Sequence, residues 1–184
     1  MGDRRTGGEL LSKVELFKEL ALSEERLAAV EALGWEEPTP IQWKAIPAGL
    51  DGKDIVGVAQ TGTGKTGAFM IPCLETIRGG KGLQVLVLCP TRELAQQVAE
   101  DTEALAKGTA IRVASIVGGV AYRPQEDALA EGVEIIVATP GRFIDHMGKK
   151  RVDLSGLRVL VLDEADRMLD MGFRPQIEDI RKGI

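Results

Sequence analysis

The stretch Ile55-Val56-Gly57-Val58-Ala59-Gln60-Thr61-Gly62-Thr63-Gly64-Lys65-Thr66 sets a short β-branched run, a glycine-rich turn and a Lys-Thr pair in direct succession. A strand that breaks into such a turn and reopens as a helix aims backbone N–H groups and a helix N-terminus at one point, which is how a chain cradles phosphate. Gly62 and Gly64 let the backbone curl so that successive amides face inward, with Gln60, Thr61 and Thr63 completing the loop. Lys65 supplies a mobile positive charge for the outer phosphates, and the Thr66 hydroxyl can ligate Mg²⁺. One position departs from the usual G-x-x-x-x-G-K-[ST] spacing: Ala59 stands where the pattern has its first glycine.

Working outward, further aliphatic runs recur at 85–89, 113–117, 135–138 and 159–162, and with 55–58 they predict strands buried on both faces, because the runs are continuous rather than alternating. Helical patterns lie between them at 65–78, 92–106 and 123–130. Two more helices precede the first strand: one capped by Ser23 and stopped by Gly34, and one opened by Pro40 and ending near Gly49. The alternation predicts an α/β domain over 14–184 with a mostly parallel central sheet and helices on both faces. Residues 1–13 read as a flexible tail. In such sheets ligands bind where the strands' C-terminal ends meet the loops, and the segments after Val58, Cys89, Val117, Ala138 and Leu162 all fall on that edge.

A chain of 184 residues fits one domain, and 44% hydrophobic with 28% charged content is that of a globular protein. Its net charge of −5 gives no global basic surface, so any grip on a polyanion must come from amides, helix N-termini and a few arginines. No apolar stretch approaches the ~20 residues of a membrane span. Cys73 and Cys89 sit in apolar runs without metal-ligand spacing and read as buried thiols in a reducing, cytoplasmic setting. His146, the single histidine, reads as covering a helix end.

The run at 159–162 delivers Asp163-Glu164 to the same edge. Taken alone, these acids would read as a solvated helix start. Beside a phosphate loop, Asp163 is placed to hold Mg²⁺, and Glu164 to orient an attacking water and take its proton.

Together these residues resemble the DEAD-box RNA helicases. The name-giving motif stands as Asp163-Glu164-Ala165-Asp166, and the loop from Ala59 to Thr66 has the family's form, Ala59 included. Gly34-Trp35-Glu36-Glu37-Pro38-Thr39-Pro40-Ile41-Gln42 resembles the Q motif, with Phe17 as its upstream aromatic. Pro90-Thr91-Arg92-Glu93-Leu94-Ala95, Gly118-Gly119 with Gln125, and Thr139-Pro140-Gly141-Arg142 follow in the family's order, so the likeness spans residues 17–173.

The resemblance implies the N-terminal RecA-like domain of an ATP-dependent RNA helicase, using ATP and Mg²⁺. Gln42 would read adenine and Phe17 would stack on it, while Trp35, where the family more often has Phe, leaves stacking or packing open. Arg92, Gly119, Thr139, Gly141 and Arg142 match positions that grip RNA backbone without reading sequence; singly, Gly119 and Thr139 would read as a turn and a cap. Glu93 and Asp166 are expected in internal networks, and Asp170 and Arg174 as surface charges. The family's Ser-Ala-Thr motif and C-terminal RecA-like domain do not occur in the sequence, so the chain alone is expected to bind nucleotide as a monomer and not to unwind. Two other readings stand beside this one: a nucleotide-dependent RNA- or protein-binding module without helicase activity, and a DNA-translocating ATPase, against which the Q motif counts.

Overall fold

A computed structural model describes residues 13–60, 62–79 and 82–184, with side chains from Leu16 onward; residues 1–12 of the expected tail, and Thr61, lie outside the described residues, while Lys13, also expected in the tail, is helical. The order is α1 (Lys13–Lys18), α2 (Glu24–Ala32), α3 (Pro40–Leu50), α4 (Lys65–Thr76), β1 (Val85–Leu88), α5 (Arg92–Ala106), β2 (Val113–Ile116), α6 (Tyr122–Glu131), β3 (Ile135–Ala138), α7 (Pro140–Gly148), β4 (Val159–Leu162), α8 (Ala165–Asp170) and α9 (Arg174–Lys182). Local chemistry sets several boundaries. The Ser23 hydroxyl accepts from the Arg26 N–H at 3.3 Å to start α2, and the Thr91 hydroxyl accepts from Leu94 to start α5. Pro40 occupies the first turn of α3, where its missing donor costs nothing.

The four strands are all parallel, in the order β2-β3-β1-β4. Side chains alternate across the sheet, and this splits the core in two. Val85, Val87, Cys89, Ile135 and Val137 face one cluster with Phe17, Val30, Ile46, Ile71, Val98 and Leu105 from the helices of that side. Leu86, Leu88, Ile116, Ile136 and Ala138 face the other, against Phe143, Met168 and Ile180. Each such large aliphatic or aromatic side chain contributes roughly 1.5–3 kcal/mol on burial. The inner strands β1 and β3 are buried throughout, as their continuous runs predict, whereas the edge strands β2 and β4 are only partly covered.

The run at 55–58 is the exception. Its four residues belong to no strand, and Val56 and Val58 are 97% and 93% exposed. A strand requires a hydrogen-bonded neighbour, and among the described residues the run has none. The outer edge of β4 is equally unpaired, with Leu162 exposed. The apolar content was read correctly; the pairing was not.

The first helices are fastened to α4 by a polar clasp. The Ser23 N–H and hydroxyl both donate to Glu75 Oε1, at 3.0 and 2.8 Å, and Arg26 lies 3.8 Å from the same oxygen. Arg26 is buried and donates to the Leu105 carbonyl, so a single charged pair ties α2 to α4 and α5. Removing Glu75 would leave the buried Arg26 charge uncompensated.

Candidate functional site at the C-terminal edge of the sheet

The phosphate loop reaches α4 through two left-handed glycines, Gly62 (φ 77°) and Gly64 (φ 82°). Gly64 is the N-cap of α4 and offers no capping side chain, so the first amides of the helix are left for a ligand. The Thr63 hydroxyl donates to the Gln60 carbonyl at 2.6 Å and braces the turn. Behind it sits Gln42, 2% exposed: its Nε2 donates to the Gly64 carbonyl (3.1 Å), and its Oε1 accepts from the Thr39 N–H (2.9 Å). Each end of that amide keeps one further hydrogen-bonding capacity. The Thr39 hydroxyl, buried and without a hydrogen-bond partner, lies in the same corner, where a Cβ on Gly64 would stand 3.0 Å from it.

The Phe17 ring is fully buried in the core, tilted against Trp35 with centroids 6.5 Å apart. Trp35, half-buried, is the aromatic that reaches the loop; a Cβ on Gly67 would stand 2.5 Å from its Cζ3. Close approach, not a turn, is why position 67 is glycine.

Asp163 leaves the end of β4 with its N–H donating to the Leu88 carbonyl at 2.9 Å. Burial pushes its carboxyl above the ordinary range; the Lys65 ammonium pulls it down, and Glu164 adds to the rise. Lys65 and Asp163 therefore share one electrostatic environment although nearly a hundred residues separate them in sequence. Glu164 is one of three non-glycine residues with positive φ (49°) among those described, a strain of about 1–3 kcal/mol that concentrates at functional positions. Its N–H donates to Asp163 Oδ1 (3.0 Å), and its Oε2 accepts from Arg167 (3.1 Å). Thr66 stands against Asp101 of α5, whose carboxyl burial raises, Glu100 raises further, and a hydrogen bond with the Thr66 hydroxyl lowers. Nothing in the sequence spacing singled out Asp101. Among the described residues no three His, Cys, Asp or Glu side chains form a metal cluster. That is compatible with Mg²⁺, which takes one or two carboxylates and completes its shell with water and phosphate.

Across the same edge, the Arg92 guanidinium packs on Gly119, where a Cβ would lie 3.0 Å from Nη1, and pairs with Glu93 at 3.1 Å. Arg142 Nη1 donates to the Val120 carbonyl at 3.0 Å. Thr139 caps α7, and the space beside Gly141 is open to within 4 Å. The structure thus brings Arg92 onto Gly119 and Arg142 onto the residue after it. Two expectations fail here, since Glu93 and Asp166 are exposed and belong to no internal network among the described residues. His146 stands in the last turn of α7, as expected of a residue at a helix end, and is fully buried, its Nε2 3.3 Å from Gln125 Oε1.

The model of DEAD/DEAH box helicases matches residues 39–184, most of the chain. The chain belongs to that family. It is 42% identical, over 95% of its length, to the human protein named probable ATP-dependent RNA helicase DDX23, of which it covers 22%. It superposes with a TM-score of 0.86 on the crystal structure of a DEAD box protein from the hyperthermophile Methanococcus jannaschii, at 43% identity, covering 91% of this chain and 46% of that one. The helicase domain described here therefore spans less than half of each of these two relatives. Among the described residues no helix is long and apolar enough to cross a membrane.

Proposed function

We propose that this helicase domain is the N-terminal, nucleotide-binding half of a motor that grips RNA backbone and remodels duplexes by hydrolysing ATP. The observation that carries the reading is that the P-loop with its uncapped helix start and the buried Asp163, which feels the Lys65 charge, share the molecule's strand-end edge with Arg92, Gly119 and Arg142. Two chemistries, triphosphate and polyanion, are served by adjacent loops of one sheet.

Gln60, Gly62, Thr63, Gly64 and Lys65, with Thr61, would hold the phosphates, and Gln42 would use its remaining donor and acceptor on adenine. Thr66 and Asp163 would hold Mg²⁺, since a hydroxyl and a buried carboxylate are the oxygen donors that the ion takes alongside water and phosphate. When bound, the ion neutralises charge building on the phosphoryl oxygens. Glu164 orients water and accepts its proton, its backbone strain fixing the carboxylate beside Asp163. Arg92, Gly119, Thr139, Gly141 and Arg142 contact phosphates and 2′-OH groups and read no bases.

An arginine finger is worth about 10³–10⁵ in rate in comparable phosphoryl transfers, so the domain alone should bind ATP while turning over little and unwinding nothing. Calorimetry with ATP and GTP tests this. Lys65→Ala should weaken both nucleotides, and Gln42→Ala should weaken ATP more than GTP. Equal loss on Gln42→Ala would make Gln42 structural, and unchanged binding on Lys65→Ala would remove the nucleotide site.

A further inference from the structure

Tyr122, the single tyrosine, opens α6 three residues after Gly119, and its half-buried ring is surrounded by one face of α7. Arg142, Asp145, His146 and Lys149 follow at intervals of three and four and therefore line up on that face. The Arg142 guanidinium lies 4.0 Å from the ring centroid and the Lys149 ammonium also 4.0 Å from it. The tyrosine hydroxyl donates to Asp145 Oδ2 at 2.8 Å, and the buried His146 ring packs at 5.5 Å. Burial, then Arg142 and Lys149, hold His146 below its ordinary range, so it adds no third charge there at neutral pH.

Two cations are thus kept within about a Debye length of each other by a neutral ring. Among the described residues neither forms an ion pair, although the chain as a whole is acidic. Asp145, the acid between them in sequence, accepts from the tyrosine hydroxyl. Aromatic faces attract cations without neutralising them, so the ring orders the pair without an ion pair to either one, while the Asp145 carboxylate between them is engaged by the tyrosine hydroxyl.

We infer that Lys149 is a further RNA-phosphate contact and that Tyr122 is the residue that positions it beside Arg142. This rests on the reading of Arg142 as an RNA contact; it adds a second cation at the far end of α7 and a reason for its placement. Lys149 and Tyr122 lie outside the motifs from which the RNA edge was read, and only the fold brings the Tyr122 ring to the face of α7.

The test is fluorescence anisotropy of the chain with a fluorescein-labelled oligouridylate over a series of KCl concentrations, with circular dichroism to check folding. Lys149→Gln should weaken binding about three- to tenfold and make the slope of log K against log salt shallower by about 0.7, the share of one phosphate on single-stranded nucleic acid. Tyr122→Leu should reproduce that loss, and Tyr122→Phe, which keeps the ring, should not. Wild-type affinity and slope in Lys149→Gln overturn the clamp, and a Tyr122→Phe variant as weak as Tyr122→Leu overturns the role of the ring. Should Tyr122→Leu fail to fold, exposed Lys149 decides the matter alone. Arg142→Gln separates the two layers: if it weakens binding while Lys149→Gln does not, only the clamp falls, and if neither weakens it, the RNA reading of this edge falls as well.

Discussion

Gly67 sits in the first turn of α4, and an alanine there is the sharpest probe of how the nucleotide loop is held. A Cβ at this position would stand 2.5 and 2.7 Å from the Trp35 ring and 2.7 Å from Gln42 Nε2. Indole is rigid, so relief requires the whole ring to swing, and Trp35 is only half-buried and has somewhere to go. Overpacking costs about 1–3 kcal/mol, while alanine for glycine in a helix returns about 0.8–1 kcal/mol. The net loss should lie between about zero and 2 kcal/mol, lowering Tm by up to roughly 8 °C at the scale of about 2–4 °C per kcal/mol for this size. The larger effect falls on Gln42, whose hydrogen bond to the Gly64 carbonyl cannot keep its geometry. In a Trp43→Phe background Trp35 is the only tryptophan, so its emission reports the displacement directly. The expected outcome is a shifted Trp35 emission, a lower Tm and weaker ATP binding, with Trp35→Leu in the same chain relieving the stability loss non-additively. A raised Tm with unchanged Trp35 emission would mean that helix propensity alone acts at this site and that Trp35 does not seat on α4.

Asp163→Asn should stabilise the nucleotide-free chain at neutral pH. A carboxyl raised by burial binds more protons folded than unfolded between its ordinary value of 3.8 and its raised one, so stability falls as pH climbs through that window and stays lower above it. Thermal melts from acid to neutral pH should show the gain of Asp163→Asn vanishing below the ordinary carboxylate range, and stabilisation by Mg²⁺-nucleotide lost; a variant less stable at neutral pH would contradict the assignment. The exposed Val56 and Val58, together with the unpaired edge of β4, should make the chain self-associate with concentration, against the monomer expected from its sequence. Sedimentation velocity should show Val58→Lys shifting the population toward monomer, and a wild-type chain that sediments as monomer at all concentrations refutes this.

What could be read in the sequence was what is local. The helix bounds at Ser23, Pro40 and Arg92 follow from caps and proline and fall where expected. The loop from Gln60 to Thr66 declared its chemistry because its parts are contiguous. By contrast, 55–58 and 85–88 are nearly indistinguishable as apolar runs, yet one is exposed and the other sits at the centre of the sheet. Periodicity reports which residues avoid water; it carries no information on which edge a strand finds. Phe17 is ambiguous for a related reason, since an isolated aromatic suits a core as well as a base, and its complete burial is not visible in the sequence. Tyr122 escaped notice because its partners lie twenty or more residues away on another helix.

The order of the strands also limits how nucleotide could influence RNA in this domain. Just past the strand ends, Asp163 N–H donates to the Leu88 carbonyl, Cys89 N–H to the Ala138 carbonyl, and Thr139 N–H to the Ile116 carbonyl, at 2.9, 2.9 and 3.1 Å. These bonds lead step by step from the carboxylate expected at Mg²⁺ to the loops expected at RNA, through the strand that also presents Arg92. All are of ordinary length and continue parallel ladders in register, so the strand ends set the spacing between these loops. Coupling requires an element with two states, and the candidates on this edge are the strained Glu164, released or held by what Asp163 binds, and the Arg92 side chain, resting on Gly119 and paired with an exposed Glu93 that RNA could displace. The sheet sets the distance between the two chemistries, and the side chains at its edge must carry whatever passes between them.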